Sequence, residues 1–217
     1  MNKYLIPALK NQSCQDFIWI LTIGNKINMT NIQSLFNFNH SFEMKIIYIT
    51  ELNNYLINAT KGFDILITTR IDYDDIIYYD AVNDVRKEIN LNKPMLLYGY
   101  NSGLFYLESE EKYYEYYDLN INGSSSIFCS LIIVLKEVNG IYTIYDIGNH
   151  RVIRRNLLKR YKLFGIKKVN YEPAVFDSGG PKFIYVRQKF SHNHINTKKM
   201  IKNAKQVNFD LRIFNKE

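Results

Sequence analysis

Three carboxylates fall within four positions at Asp72, Asp74 and Asp75, just after Arg70. Ionised groups this close repel one another, and partial burial worsens the repulsion unless a cation neutralises it. A hard divalent ion such as Mg²⁺ or Mn²⁺ takes oxygen ligands, and it commonly uses one or two carboxylates together with substrate phosphates. Asp72 and Asp74 are two apart, so an extended segment points them to the same side, with Asp75 reaching in from the turn. The plainer alternative is that Asp74 or Asp75 caps a following helix while Asp72 is solvated. Further down the chain Arg187 and Lys189 have the charge and donors to meet a diphosphate. His192 and His194, two apart, share one face of an extended segment and are eligible metal ligands or plain surface residues.

The elements around the acids give them a place. Ile65-Leu66-Ile67, after Gly62, is a short unbroken apolar run and reads as a strand buried on both faces. Tyr78, Val82, Val85 and Ile89 recur at helical spacing, which predicts a helix over residues 76–89. The acids are therefore expected where a central strand gives way to a helix. That rim, beyond the carboxyl ends of strands, is where open α/β sheets bind ligands.

Upstream, residues 3–11 read as a helix with Pro7 at a kink or in the first turn. Strands follow at 17–23 and 44–49, with helices at 31–36, capped by Thr30, and at 52–59. The alternation predicts an α/β fold with a parallel sheet and right-handed crossovers. Beyond residue 90 the pattern changes. Asn101-Ser102-Gly103 between apolar runs signals a hairpin over 95–107, with 113–119 pairing beside it. Residues 127–135 and 141–145 read as a second hairpin, 122–126 as a loop, 150–161 as a basic helix, 182–186 as a strand and 195–217 as a basic terminal helix. The second half is thus mixed or antiparallel. No linker or repeat divides the chain, so one domain is expected, with an α/β half over 1–90 that carries the acids and a mixed half over 91–217 that ends in the basic third.

At 217 residues the chain is long enough for a substantial core. Cys14 and Cys129 are far apart and in no metal-ligand spacing, which implies neither a disulfide framework nor a zinc site. The N-terminus carries no apolar signal core and no run is long enough to span a bilayer, so a cytoplasmic protein is expected. The 18 tyrosines carry little weight as a stacking surface, because the Asn, Ile, Lys and Tyr bias is that of an AT-rich genome. The formal charge of +7 is unevenly spread. Residues 1–150 hold 11 Lys and Arg against 17 Asp and Glu, whereas residues 151–217 hold 17 against 4. An acidic cradle followed by a basic third suits a ligand that brings a cation and a diphosphate. Charge alone would also suit nucleic acid or an anionic membrane surface.

Two segments carry a resemblance. Thr68-Thr69-Arg70-Ile71-Asp72-Tyr73-Asp74-Asp75 resembles the T-R-x-D-x-D-D signature of the rhamnosyltransferase family, nucleotide-sugar-dependent glycosyltransferases with a GT-A-type fold. Leu5-Ile6-Pro7-Ala8-Leu9-Lys10-Asn11-Gln12, followed by Asp16-Phe17-Ile18-Trp19, resembles that family's L-P-S-L-x-x-Q segment and the strand after it. The resemblance implies a GT-A-like (Rossmann-like) mixed sheet flanked by helices. It also implies a divalent cofactor, Mn²⁺ or Mg²⁺, held by Asp72, Asp74 and Asp75 with His192 as a late partner. Thr69, Arg70, Asp72, Arg187 and Lys189 fall at the donor. It places His150, with Asp146 four residues earlier, where such enzymes keep the base that activates an acceptor hydroxyl, and Asp177 is also eligible. Family members carry a further N-terminal strand that helps form the nucleotide pocket, and residues from Met1-Asn2-Lys3-Tyr4 onward provide no counterpart.

The expected activity is metal-dependent transfer of a sugar, rhamnose by resemblance, from a nucleotide-diphosphate donor to the hydroxyl of a glycan or other acceptor. Two alternatives stand beside it. One is a sugar-nucleotide binder without catalysis, and the other is a nucleic-acid-binding module working through the basic third.

Overall fold

The structure is a computed structural model, and it describes residues 4–36, 41–72, 74–117, 128–148, 156–157, 164–166, 174–177, 179–187 and 204–214. The expected loop at 122–126 and most of the expected helix at 150–161 lie outside the described residues.

The chain is α/β, with mixed sheets flanked by short helices. Helix α1 (Leu5–Lys10) tolerates Pro7 because a first-turn residue needs no intrahelical N–H bond, and it buries Leu5, Ile6, Ala8 and Leu9. Strand β1 (Ile18–Ile23) turns Trp19 and Ile23 inward. Helix α2 (Met29–Leu35) is capped by Asn28 rather than by the expected Thr30. The Asn28 side-chain oxygen accepts from the amides of Thr30 and Asn31 at 2.9 and 3.4 Å. Strand β2 (Glu43–Tyr48) pairs with β1 in parallel, and α3 (Leu52–Ala59) has the predicted bounds.

Strand β3 (Ile65–Arg70) is not central. Among the described residues it pairs with β8 (Cys129–Val134) alone, antiparallel, and forms the edge of a four-stranded sheet ordered β3-β8-β5-β9. In that sheet β5 (Met95–Tyr100) is antiparallel to β8 and parallel to β9 (Ala174–Asp177). The fully buried strands are β5 and β8, while β3 is half-buried. Ile65 and Ile67 join one core with Trp19, Leu96, Tyr98 and Ile132, so β1 and β3 pack on the same interior although neither pairs with the other. The opposite face of the sheet sends Met95, Leu97, Leu131 and Ile133 into a second core with Ile144 and Ile147.

A five-stranded sheet holds the rest, in the order β11-β7-β6-β10-β4. Its members are β4 (Ile76–Ile77), β6 (Ser102–Leu107), β7 (Lys112–Tyr117), β10 (Phe183–Arg187) and β11 (Gln206–Val207). The pairing of β7 beside β6 and the strand β10 match the sequence reading. Several expectations are corrected here. Residues 95–107 are not a hairpin, because the chain changes sheet at Asn101. Gly103 sits so close to the Phe183 ring that a Cβ would approach it to 2.5 Å, which seats β6 beside β10 rather than β5. The helix expected over 76–89 is only α4 (Ala81–Lys87), because Ile76 and Ile77 pair with Ile184 and Phe183 instead. Residues 141–145 do not return as a strand, since Ile144–Ile147 is a 3₁₀ turn that plugs two isoleucines into the second core. In the C-terminal stretch the described residues form β11 and a 3₁₀ turn, Leu211–Phe214, instead of a continuous helix.

Gln12 clamps these layers. It is buried, its amide donates to the carbonyls of Ala8 and Tyr78 at 3.2 and 2.8 Å, and its oxygen accepts from the Val82 amide at 3.2 Å. One side chain thereby fixes α1 to the segment that leads from the acids into α4.

Candidate functional site

Register places the functional side chains. Arg70 pairs with Cys129, Cys129 with Gly99, and Gly99 with Phe176, so Arg70 and Asp177 end parallel strands on one rim of the four-stranded sheet. The acids leave that rim and run into β4. Antiparallel pairing of β4 with β10 then carries Asp75 alongside the end of β10, where Tyr185 and Arg187 lie. The acids thus bridge two sheets; they do not open a helix.

Asp75 is 1% exposed, and neither of its carboxylate oxygens has a hydrogen-bond partner. Burial holds its carboxyl well above the ordinary range, with the charges of Asp74 and Asp72 adding to the shift. The Val186 amide, which faces the carboxylate outside hydrogen-bond geometry, and the Arg187 charge pull it down less strongly. Asp74 is half-buried and is also raised, again chiefly by desolvation and partly by Asp72, against its own amide and Arg187. Asp72 pairs with Arg70, Nε to Oδ1 at 3.5 Å.

Two arginine–tyrosine pairs bracket the acids. Arg70 lies over the Tyr145 ring at 5.6 Å, and Arg187 lies over the Tyr185 ring at 3.7 Å and donates to its hydroxyl. The Arg187 Nε is buried without a hydrogen-bond partner, and the buried Arg70 Nε meets Asp72 only as an ion-pair contact outside hydrogen-bond geometry. Asp72 is the common neighbour, since its charge raises both tyrosine hydroxyls. In each tyrosine desolvation is the larger cause, and the adjacent guanidinium opposes it.

Of the other expected site residues, Thr69 spends its hydroxyl on Ser130 at 2.8 Å. One oxygen of Asp146 accepts from the Thr143 amide and hydroxyl at 2.7 and 2.8 Å, capping the 3₁₀ turn that carries Tyr145. The backbone of Asp177 ends β9 at the rim. His150, Lys189 and His192 lie outside the described residues. The structure therefore gathers Arg70, Asp72, Asp74, Asp75 and Arg187, and it adds Tyr145 and Tyr185. Sequence reasoning passed over both tyrosines. The signals that could have found them were the two-residue spacing of Tyr185 and Arg187, which puts them on one face of a strand, and the position of Tyr145 beside Asp146.

Among the described residues, no three His, Cys, Asp or Glu side chains converge as a ready metal cage. An all-protein cage is not what Mg²⁺ or Mn²⁺ needs when phosphates complete the shell. The oxygens of Asp75 and of the two carboxylates just before it are of the donor type such an ion takes. A separate cavity of about 550 Å³ lies on the α2–β2 side, lined by Thr30, Gln33, Ser34 and Lys45 among others, and none of the acids lines it. No helix among the described residues is long and apolar enough to cross a membrane.

No family model matches this chain, and no curated protein does either. The likeness to rhamnosyltransferases rests on its two motifs.

Proposed function

We propose that the acid cluster after β3 binds a divalent cation together with the diphosphate of a nucleotide sugar, and that the chain is a GT-A-like glycosyltransferase. The observation that carries this reading is the buried carboxylate of Asp75, without a hydrogen-bond partner for either oxygen, beside Arg187 and just after the Arg70–Asp72 pair. A protein that buries a charge without a partner leaves several kcal/mol unrecovered unless a counter-ion arrives. Asp72, Asp74 and Asp75 would hold the ion, which when bound supplies positive charge next to the leaving diphosphate.

Arg70 and Arg187 orient the phosphates and offset their charge, each with a guanidinium stacked on a tyrosine and so restricted in its swing. An acceptor hydroxyl gives up its proton to a base drawn from His150, Asp146 or Asp177. Of these, Asp146 already commits one oxygen to its cap. Rhamnose is the donor sugar that the motif resemblance suggests.

The test is a thermal-shift panel of nucleoside-diphosphate sugars with and without Mn²⁺ on the wild type and on Asp72→Asn. Stabilisation that requires ion and nucleotide together, and that is lost in Asp72→Asn, supports a shared metal–diphosphate site. Full metal-independent binding in the variant rejects it. Binding of donor without turnover would leave a non-catalytic sugar-nucleotide binder. Stabilisation by any polyanion, falling steeply with salt, would mark a nucleic-acid module instead.

A further inference from the structure

We infer that Tyr145 is the platform on which the ligand's nucleobase stacks, so that the site takes nucleoside diphosphates in preference to bare diphosphate. This inference rests on the diphosphate reading above and extends it to the rest of the ligand.

Tyr145 is 57% exposed, and the turn that carries it is anchored on both sides. Its neighbours Ile144 and Ile147 are completely buried in the second core. The turn that carries it is closed at its start by the reciprocal bonds of Thr143 and Asp146. The Ile144 amide donates to the Thr68 hydroxyl at 2.9 Å, tying the turn to β3 two residues before Arg70. Over one face of the ring lies the Arg70 guanidinium, 5.6 Å from its centroid and itself paired to Asp72, so a base would take the other face.

A large aromatic ring left open to water on an anchored turn, next to the Arg70 guanidinium and the Asp72 carboxylate that lead into the acid cluster, matches a ligand with a flat ring close to its phosphates. Stacking is tolerant of base identity because every base has a π-face. Tyr185 is less suited, since Arg187 lies closer over its ring, at 3.7 Å, and also donates to its hydroxyl. The roles divide accordingly, with Tyr185 positioning an arginine and Tyr145 meeting the ligand.

The experiment compares the affinities of UDP, TDP, GDP and inorganic pyrophosphate by calorimetry in Mn²⁺, for wild type, Tyr145→Ala, Tyr145→Leu and Tyr145→Phe. The readout is the ratio of nucleoside-diphosphate affinity to pyrophosphate affinity, which a merely structural role for the ring would not change. Loss of a stacked base lowers this ratio by about tenfold in the Ala and Leu variants, and the Phe variant keeps it. Tyr145→Leu keeps apolar bulk, so it reads the ring's contribution even if Tyr145→Ala folds poorly. A ratio unmoved in both variants overturns the platform while leaving the diphosphate site standing. A loss confined to nucleotide sugars, with bare diphosphates unaffected, overturns it in favour of a sugar contact. Wild-type protein that binds neither UDP nor pyrophosphate overturns the diphosphate reading and the platform together.

Discussion

Replacing Asp75 by Asn should make the metal-free protein more stable near neutral pH, although the substitution removes a candidate ligand. The carboxylate is buried with no partner for either oxygen. An unsatisfied buried polar group costs about 1–3 kcal/mol, and more when charged. The Asp75→Asn variant keeps an orphaned amide but discards the charge, so it recovers about 1–2 kcal/mol. For a chain of 217 residues each kcal/mol moves Tm by about 2–4 °C, which gives a rise of about 2–8 °C. The sign with pH follows from the raised carboxyl. The unfolded chain releases this proton near pH 3.9, roughly, whereas the folded chain holds it well above that value. Between the two the native state binds more protons, so wild-type stability falls as pH climbs from about 4 through the folded-state titration. The advantage of the variant should therefore be small at acid pH and grow toward neutrality. Differential scanning fluorimetry across that range measures it. Mn²⁺ at a hundredfold excess over its dissociation constant adds about 2.7 kcal/mol to whichever form binds it, which should be the wild type and not the variant. A variant that is less stable by the same margin at acid and neutral pH would refute the argument, for it would mean that the carboxylate is already satisfied.

Three other outcomes follow from the geometry. Gln12→Ala removes three hydrogen bonds and leaves the Val82 amide without its partner, while the Tyr78 carbonyl keeps the Ala81 amide; urea unfolding should show a loss of about 1–3 kcal/mol. Gly103→Ala drives a methyl group against the Phe183 ring, and the same assay should register about 1–3 kcal/mol from overpacking. In β3 the Asp64–Leu135 bond sets the hydrogen-bonding phase against β8, so the amides of Leu66 and Thr68 point into the sheet and those of Ile65, Ile67 and Thr69 point to its open edge. Hydrogen exchange should alternate along the strand, fast at Ile67 and Thr69 and slow at Leu66 and Thr68; uniform protection would mean that something covers that edge.

What could be read from the sequence divides along the range of the interactions involved. The strands β1, β2 and β10 and the helix α3 follow from local periodicity and terminators, and the structure has them within a residue or two. The run Ile65-Leu66-Ile67 announces burial but not which partners supply it, and so it reads as central when it is an edge. Asn101-Ser102-Gly103 carries the signal of a hairpin, yet the same residues serve a chain leaving one sheet for another. Only the Phe183 ring, far along the sequence, decides between them. The acids show the same division. Their spacing was enough to suggest a cation, but their environment depends on a two-residue strand pairing with β10, which no local pattern around Ile76 reveals. That pairing buries Asp75, brings Arg187 and Tyr185 to it, and turns three charges in a row into three unlike groups. Asp72 is held by an arginine, Asp74 is half-buried, and Asp75 is left without a partner. Closeness along the chain therefore does not mean equal chemistry, and the residue with least access to water is the one whose charge most requires a ligand.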